Sequence, residues 1–388
     1  MKLPGARRSR LSQGRIIACA RLVSIGLVVQ ALTAPAGPVA ATRAARERGD
    51  SFDVLQRLVE IPGVSSREEK VRDAIRELLP AWASASVDPS GNLLAAAGPE
   101  KARTSLLFIA HMDETGYVVT GVRSDGFLEV KRIGGFFETL YEGQVVVVRT
   151  AHGDVGGLVP PRPGYFGPVD APADFGGGQV AIDVGTAGRA ATEALGIAAG
   201  DSVTIPKAFV RLAGSKGSGR AVDDRAGCTA LLLAMRRIDP ARLKNRVTFA
   251  FSVREETGLE GAAAMARSMR PDLVVAVDTF VSSDSPVERH GFANAILGQG
   301  PVVRAIDSSN ITHRDLVDRV VALARDAGLP IQYGLTRGGN DGSVFPEVGV
   351  PDLAISWPTV HSHSAVEVID ERDLARLGDL VRTIAERW

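Results

Sequence analysis

The stretch Val247 to Gly261 reads VTFAFSVREETGLEG. Its first half, Val247 to Val253, is β-branched and aromatic and holds neither Gly nor Pro, the composition of a buried strand. Glu255 and Glu256 follow, then Gly258 and an Ala-rich run that favours helix. Adjacent side chains at a strand end point in different directions. One carboxylate of the pair can therefore hold a metal ion while its neighbour faces a bound water. An isolated Glu-Glu pair reads more simply as a solvated turn, so the weight of this reading rests on the rest of the chain.

Working outward, 388 residues exceed the usual size of one domain, so two are expected. Hydrophobic content of 45% and charged content of 23% are those of an ordinary globular protein. The 45 basic and 45 acidic residues leave a formal net charge of +0. That balance offers no case for nucleic acid, or for a membrane partner beyond export. Two cysteines, Cys19 and Cys228, exclude both a thiolate zinc cluster and a disulfide framework. Cys228 lies in an apolar helical run and reads as a core residue. Any metal must be held by His, Asp and Glu.

Residues 1–41 read as an export signal. Lys2, Arg7, Arg8, Arg10, Arg15 and Arg21 stand there with no acidic neighbour, followed by the apolar Leu22 to Ala34 and the small residues Ala40 and Ala41. The apolar run is short for a membrane span. Cleavage after Ala41 would send the protein to the periplasm or outside; an uncleaved tail would leave it in the cytoplasm.

The next part alternates helix and strand. Ser66 with Glu69 resembles a capping box opening a helix through Ala81. Leu106 to Ala110 is continuously apolar, as a strand covered on both faces should be. It ends in His111-Met112-Asp113-Glu114, where His111 and Asp113, two apart, share a face and the carboxylate can orient the imidazole. From Tyr117 to Leu212 the vocabulary changes to short strands (117–122, 127–132, 144–149, 180–184, 202–205) separated by Gly and Pro turns, as in a small barrel. The stretch Pro160 to Gly178 reads as a long glycine-rich loop.

The α/β pattern then resumes. Asp223-Asp224 opens a helix running to about Ile238, a placement that simple N-capping also explains. Leu273 to Val277 is a strand ending in Asp278, Val287 to Ile306 reads as a strand pair, and Arg314 to Ala327 is an amphipathic helix. Ile331 to Leu335 is a strand, followed by a loop with Asp341; Asp352 to Trp357 is another, followed by His361-Ser362-His363, and a helix begins near Glu371. His111, Asp223, Glu255-Glu256, Asp278 and His361 thus gather at the carboxyl ends of strands or in the loops beyond, the edge where open α/β sheets bind ligands. Two imidazoles and several carboxylates exceed what one tetrahedral ion with an open position uses. They suit two divalent ions sharing a carboxylate, about 3.5–4 Å apart.

The ordered series His111-Met112-Asp113-Glu114-x-Gly116, Asp223-Asp224-Arg225-x-Gly227, Glu255-Glu256-x-Gly258-Leu259, Val277-Asp278 and His361-Ser362 resembles the tetrahedral-assembly metalloaminopeptidases, the glutamyl and deblocking aminopeptidase family, some members of which have carried the endoglucanase label. The resemblance runs from about Phe52 to the C-terminus. It implies an α/β fold with a mixed sheet flanked by helices, zinc-peptidase-like, in a catalytic domain over 50–116 and 213–388, with a small β-barrel domain for oligomerisation and substrate access inserted at 117–212. It implies two divalent metal ions per subunit, zinc or cobalt, with manganese also suited. Asp223 would bridge them, His111 and Asp278 would complete one, and Glu256 and His361, in preference to His363, the other. Glu255 would be the general base, Asp113 would orient His111, Asp341 would line the pocket, and the Asp223–Asp224 peptide would be cis. Substrates would be peptides with a free N-terminus. The chain would form a homo-oligomer, from a dimer up to the family's dodecamer. Two departures bear on the larger assembly: the apparent export signal, and the loop Pro161 to Gly178, which opens Pro-Arg-Pro-Gly-Tyr where relatives carry a histidine after the paired prolines. The rivals are a related di-metal carboxypeptidase or deacylase, and a non-catalytic scaffold on the same fold, whose mark would be a missing ligand or base. A glycosidase reading leaves both histidines unused.

Overall fold

A computed structural model of the chain describes residues 51–161, 180–288, 291 and 293–388. The export-signal reading and most of the Pro161 to Gly178 loop lie outside them. Among the described residues no helix is long and apolar enough to cross a membrane.

The fold class is the one expected. Residues 51–59 form α1 and Glu69–Leu78 α2. An eight-stranded mixed sheet follows the order β1 (Ala85–Val87), β2 (Leu93–Ala97), β12 (Arg246–Ser252), β3 (Ser105–His111), β13 (Leu273–Val281), β16 (Asp352–Thr359), β14 (Val302–Ile306), β15 (Gln332–Leu335). Its centre, β12-β3-β13-β16, is parallel. Along β3, Leu106, Phe108 and Ala110 enter the larger core with residues of α1, α2, α4 (Val222–Arg237), α6 (Arg314–Asp326) and α7 (Glu371–Arg387). Leu107 and Ile109 enter a second cluster with α5 (Glu260–Ser268). Both faces are covered, which is why β3 can be apolar throughout. Strand parity then puts His111 on the side of Leu107 and Ile109, and Asp278 on the side of Val274 and Ala276, so the two share one face.

The second sheet is the barrel. Its order is β7 (Gly153–Leu158), β6 (Val145–Thr150), β9 (Ser202–Thr204), β4 (Gly116–Val122), β5 (Leu128–Ile133), β8 (Ala181–Ile182), with the short α3 (Arg189–Glu193) beside it. A bridge between Leu158 and Asp183, two backbone hydrogen bonds of 2.9 and 3.0 Å, brings β7 back to β8 and closes the ring. Its core, including Tyr117, Val146, Val148 and Val203, is separate from the clusters of the large sheet. A third sheet, β10 (Phe209–Arg211), β11 (Lys216–Gly219) and β17 (Glu367–Asp370), lies where the chain returns from the barrel. The way out and the way back are tied together. Lys207 Nζ donates to Glu114 Oε2 at 2.7 Å, and Arg220 Nη2 to the Thr115 carbonyl at 2.7 Å, all among buried groups.

Several local expectations are corrected. No capping box opens α2; its N-cap is Glu68, whose carboxylate accepts the Ser66 N–H, and Ser66 stands at φ 71°. β13 does not stop before Asp278 but carries it to Val281. The stretch 287–306 holds one strand, β14, not a pair, among its described residues. β7, sequence GDVGGL, has too few apolar residues to read as a strand, and its pairing with β6, with the bridge to Asp183, makes it one.

α4 meets β13 closely at Gly227. A Cβ there would lie 2.1 Å from Asp224 Oδ1 and 2.7 Å from the Val277 carbonyl, both rigidly held. Gly227→Ala should therefore destabilise the fold by about 1–3 kcal/mol through overpacking. A urea midpoint unchanged from the parent would contradict this.

Candidate active site

The site is built from the chain ends that leave the parallel strands. β12 ends at Ser252, opposite His111 of β3. The turn beyond it is held residue by residue. Asn92 Oδ1 accepts the Val253 N–H at 3.0 Å, and Glu68 Oε1 the Arg254 N–H at 3.1 Å. The Asp113 carboxylate accepts the N–H of Glu255 at 3.0 Å and of Glu256 at 3.2 Å, with Ser65 Oγ donating at 2.6 Å. The two carboxylates then diverge: Glu255 Oε2 lies 3.8 Å from His111 Nε2, and Glu256 Oε1 lies 3.3 Å from His363 Nε2. Asp113 also lies beside His111, although the nearer partner of His111 Nδ1 is the Asp113 main-chain carbonyl, at 3.1 Å against 3.4 Å for its carboxylate.

Asp223 sits between the two imidazoles, 3.3 Å from His111 Nε2 and 3.4 Å from His363 Nε2. The Asp223–Asp224 peptide is cis, as the resemblance implied. Asp224, fully buried, turns away from the cleft: Oδ2 accepts the His111 N–H at 2.8 Å and Oδ1 the Gly227 N–H at 2.9 Å. Arg225 donates to the carbonyls of Met112, Leu58 and Ile61 at 2.6–3.0 Å. The second acid of the pair thus fixes the end of β3, and the first faces the site.

Donor atoms of His111, Asp223 and Asp278 gather within 4.8 Å of one another, and so do those of His111, Glu255 and Glu256. They open into a cleft of about 530 Å³, whose far wall includes Phe136, Phe137 and Leu140 of the barrel. Arg304, buried beneath it, lies 3.7 Å from Asp278 Oδ2 and 3.0 Å from Asp307.

His361 is not brought to this site. It is exposed and stands at the first position of a turn closed by the Ser364 N–H to its carbonyl. His363 lines the cleft in its place. The cause is Glu367 at the start of β17, a fully buried carboxylate whose Oε1 accepts the His363 N–H at 2.7 Å and whose Oε2 accepts the Asp223 N–H at 3.1 Å. Arg220 donates to the same carboxylate at 3.4 Å. Sequence reading passed over Glu367 and Arg304, and read Asp224 only as a helix-opening partner of Asp223 beside a cis bond. The spacing His363-Ser364-x-x-Glu367 was the available signal for the first. Asp341 is buried rather than lining the cleft; it accepts a hydrogen bond from Ser252 Oγ, while its Oδ1 has no partner.

The electrostatics follow from crowding. Burial, with the Asp223 charge adding to it, pushes Glu256 up to about 7. Burial and the same neighbour push Asp278 up to about 6. Burial, against His111 and Ser252, leaves Asp341 at about 7. Glu255 is raised well above its ordinary value, by burial first and then by Asp278, Glu256 and Asp341. For His363 burial acts downward, but Glu256 and Asp223 outweigh it and raise it to about 10. Asp223 goes the other way: burial opposes ionisation, and the two imidazoles pull it below the usual carboxylate range.

Comparison with known proteins shows the family. Residues 91–380 match the family model described as M42 glutamyl aminopeptidase. The chain belongs to that family. It is a peptidase, a hydrolase of the peptide bond. It is 32% identical over 333 residues to a putative aminopeptidase of Acetivibrio thermocellus, covering 84% of this chain and 96% of the relative. The TET1 peptidase of Pyrococcus horikoshii, solved as a protein that can assemble into a tetrahedron or a large octahedral shell, is 33% identical, with a TM-score of 0.78 over 87% of this chain and all of its own. A Thermotoga maritima protein solved under the name endoglucanase is 27% identical, with a TM-score of 0.68 over 86% of this chain and 96% of its own.

A pH dependence follows for the chain with no cation bound. Glu256, Asp278, Asp341 and His363 bind their protons more tightly folded than unfolded. Their contribution to stability is complete below their unfolded pKa values and is lost as pH rises through about 6 to 7 for the carboxylates and about 10 for His363. Asp113 and Asp223, held low, contribute stability that is lost only as pH falls below the ordinary carboxylate range. From about pH 5 to about pH 8 the stripped protein should therefore lose stability. Thermal melts across that range, chelated against zinc-supplemented, check it; a chelated midpoint that climbs with pH is the contrary result.

Proposed function

We propose that this peptidase removes residues from the free N-terminus of peptides, with a pair of divalent cations in the cleft and Glu255 as general base. The observation that carries the reading is the convergence of imidazole and carboxylate donors within 4.8 Å in a buried site. Carboxylates pressed together in low dielectric are held ionised most simply by a cation. The residues fit such ions: a donor set of oxygen and imidazole nitrogen, without thiolate, suits zinc, cobalt or manganese. Asp223 would be shared, His111 and Asp278 would hold one ion, and Glu256 and His363 the other. His363 replaces the expected His361, because only the former has its ring against Asp223 and Glu256.

Bound there, the ions would polarise the scissile carbonyl and lower the pKa of the attacking water. Glu255 takes the proton of that water and returns it to the leaving amine. Asp113, gripping the N–H groups of Glu255 and Glu256, fixes where the two side chains point. The surrounding carboxylates favour a substrate ammonium and disfavour cleavage inside a chain.

Residues 117–212 are taken as the inserted domain, between 50–116 and 213–388 of the catalytic one; the separate core of the barrel supports the division. The assemblies formed by the TET1 peptidase support a homo-oligomer for this chain too.

Glu255→Gln should keep both metal ions and lose about a hundredfold or more in kcat. Metal analysis with steady-state kinetics reads both, and near-parent turnover removes Glu255 from the role. Peptides acetylated at the N-terminus should be poor substrates beside the same peptides with a free amine. Equal rates on the two would favour the deacylase or carboxypeptidase reading. Chelation should abolish turnover, and single metals added back should restore it.

A further inference from the structure

The imidazole of His363 is held at both ends. Nε2 faces Asp223 and Glu256, while Nδ1 meets the main-chain carbonyl of Gly135, in the barrel loop that follows β5. A carbonyl oxygen only accepts. The contact therefore places a ring proton on Nδ1, so that with a cation held among the carboxylates the Nε2 lone pair would be the one to face it. The assignment of the proton comes from this hydrogen-bond network.

The loop is built to keep that carbonyl in place. Gly134 has φ +84° and packs on Thr115, so that a Cβ would lie 2.5 Å from Thr115 Cγ2 and 3.3 Å from its Cα. Phe136, next in line, is 6% exposed and sits edge-on to Tyr117 and tilted against Tyr141, with centroids 5.2 and 4.6 Å away. Arg132 Nη1 donates to the Phe136 carbonyl at 2.9 Å. Gly135 is thus suspended between two anchors, one on Thr115 and one in the barrel core, and its carbonyl reaches across to a side chain that follows β16.

We propose that the barrel loop Gly134–Phe137 is a positioning element of the metal site, acting through the Gly135 carbonyl on the ring of His363. The barrel then does more than wall the cleft: it selects which nitrogen of a ligand faces the ions. The proposal rests on the reading of His363 as a ligand. Thr115, the platform for Gly134, is itself held by Arg220, which also reaches Ser364 and Glu367. Barrel loop, histidine turn and Asp223 backbone therefore share one set of fasteners.

Zinc titration of stripped full-length protein tests it. In Gly134→Ala the loop must move off Thr115. The variant should fold, bind one zinc ion as the parent does, and bind the other about 10- to 100-fold more weakly. Gly153→Ala introduces similar backbone strain at the β6–β7 turn, where φ is +131° and a Cβ meets nothing within 4 Å, and should bind both ions normally. A second measurement needs no altered loop. In zinc-loaded protein labelled with 15N-histidine, the His363 ring, recognised by its absence in His363→Gln, should carry a protected proton on Nδ1 and none on Nε2. A folded Gly134→Ala with two parent-like zinc sites overturns the proposal, and so does a His363 ring protonated on Nε2. If Gly134→Ala fails to fold, the ring proton decides. His363→Gln that keeps both ions at parent affinity would instead sink the reading of His363 as a ligand.

Discussion

Six largely buried carboxylates, Asp223, Asp224, Glu255, Glu256, Asp278 and Asp341, meet at one end of the sheet's parallel centre. Bringing like charges together in a buried place is costly, and the surrounding architecture answers to that cost. Each acid, or the backbone that carries it, is held by hydrogen bonds from a different part of the chain. Asp224 grips β3, Asp113 grips the turn after β12, Glu367 grips the backbones of Asp223 and His363, and Arg304 stands under Asp278. None of these holdings neutralises the cluster. They fix its shape, and the proposed pair of cations would neutralise it.

The sequence was most legible where physics is local. Apolar runs such as Leu106 to Ala110 and Val247 to Val253 announce strands covered on both faces, and the clusters on either side of β3 bear this out. Helices α6 and α7 start at Arg314 and Glu371, the expected places, because apolar periodicity is intrinsic to the segment. β7 and the three-stranded sheet were illegible because glycine-rich or very short segments become strands only through their partners. Asp278 looked like a strand end because a charge interrupts the apolar run; in the structure the strand passes straight through it.

The site residues divide in the same way. The Asp223-Asp224 pair admitted a plain capping reading, and only the fold separates an acid facing the cleft from one bracing His111. His361 and His363 are two apart in one short turn, and residue type cannot rank them. A buried glutamate four residues later does, by catching the His363 N–H and turning the ring inward. That decision belongs to tertiary structure, since Glu367 reaches its depth only through the pairing of β17 with β11.

The chain departs for the barrel at Glu114, three residues beyond His111, and is back at Arg220, three residues before Asp223. The Glu114–Lys207 and Thr115–Arg220 contacts clasp those two crossings together. The barrel is therefore a poor candidate for free exchange between relatives. Recombination that swapped it at its visible edges would import a foreign clasp beside two acids whose spacing tolerates little error. Barrel, clasp and cleft thus form one mechanical unit, and substitutions should be borne most easily on the barrel surfaces that lie farthest from the crossings.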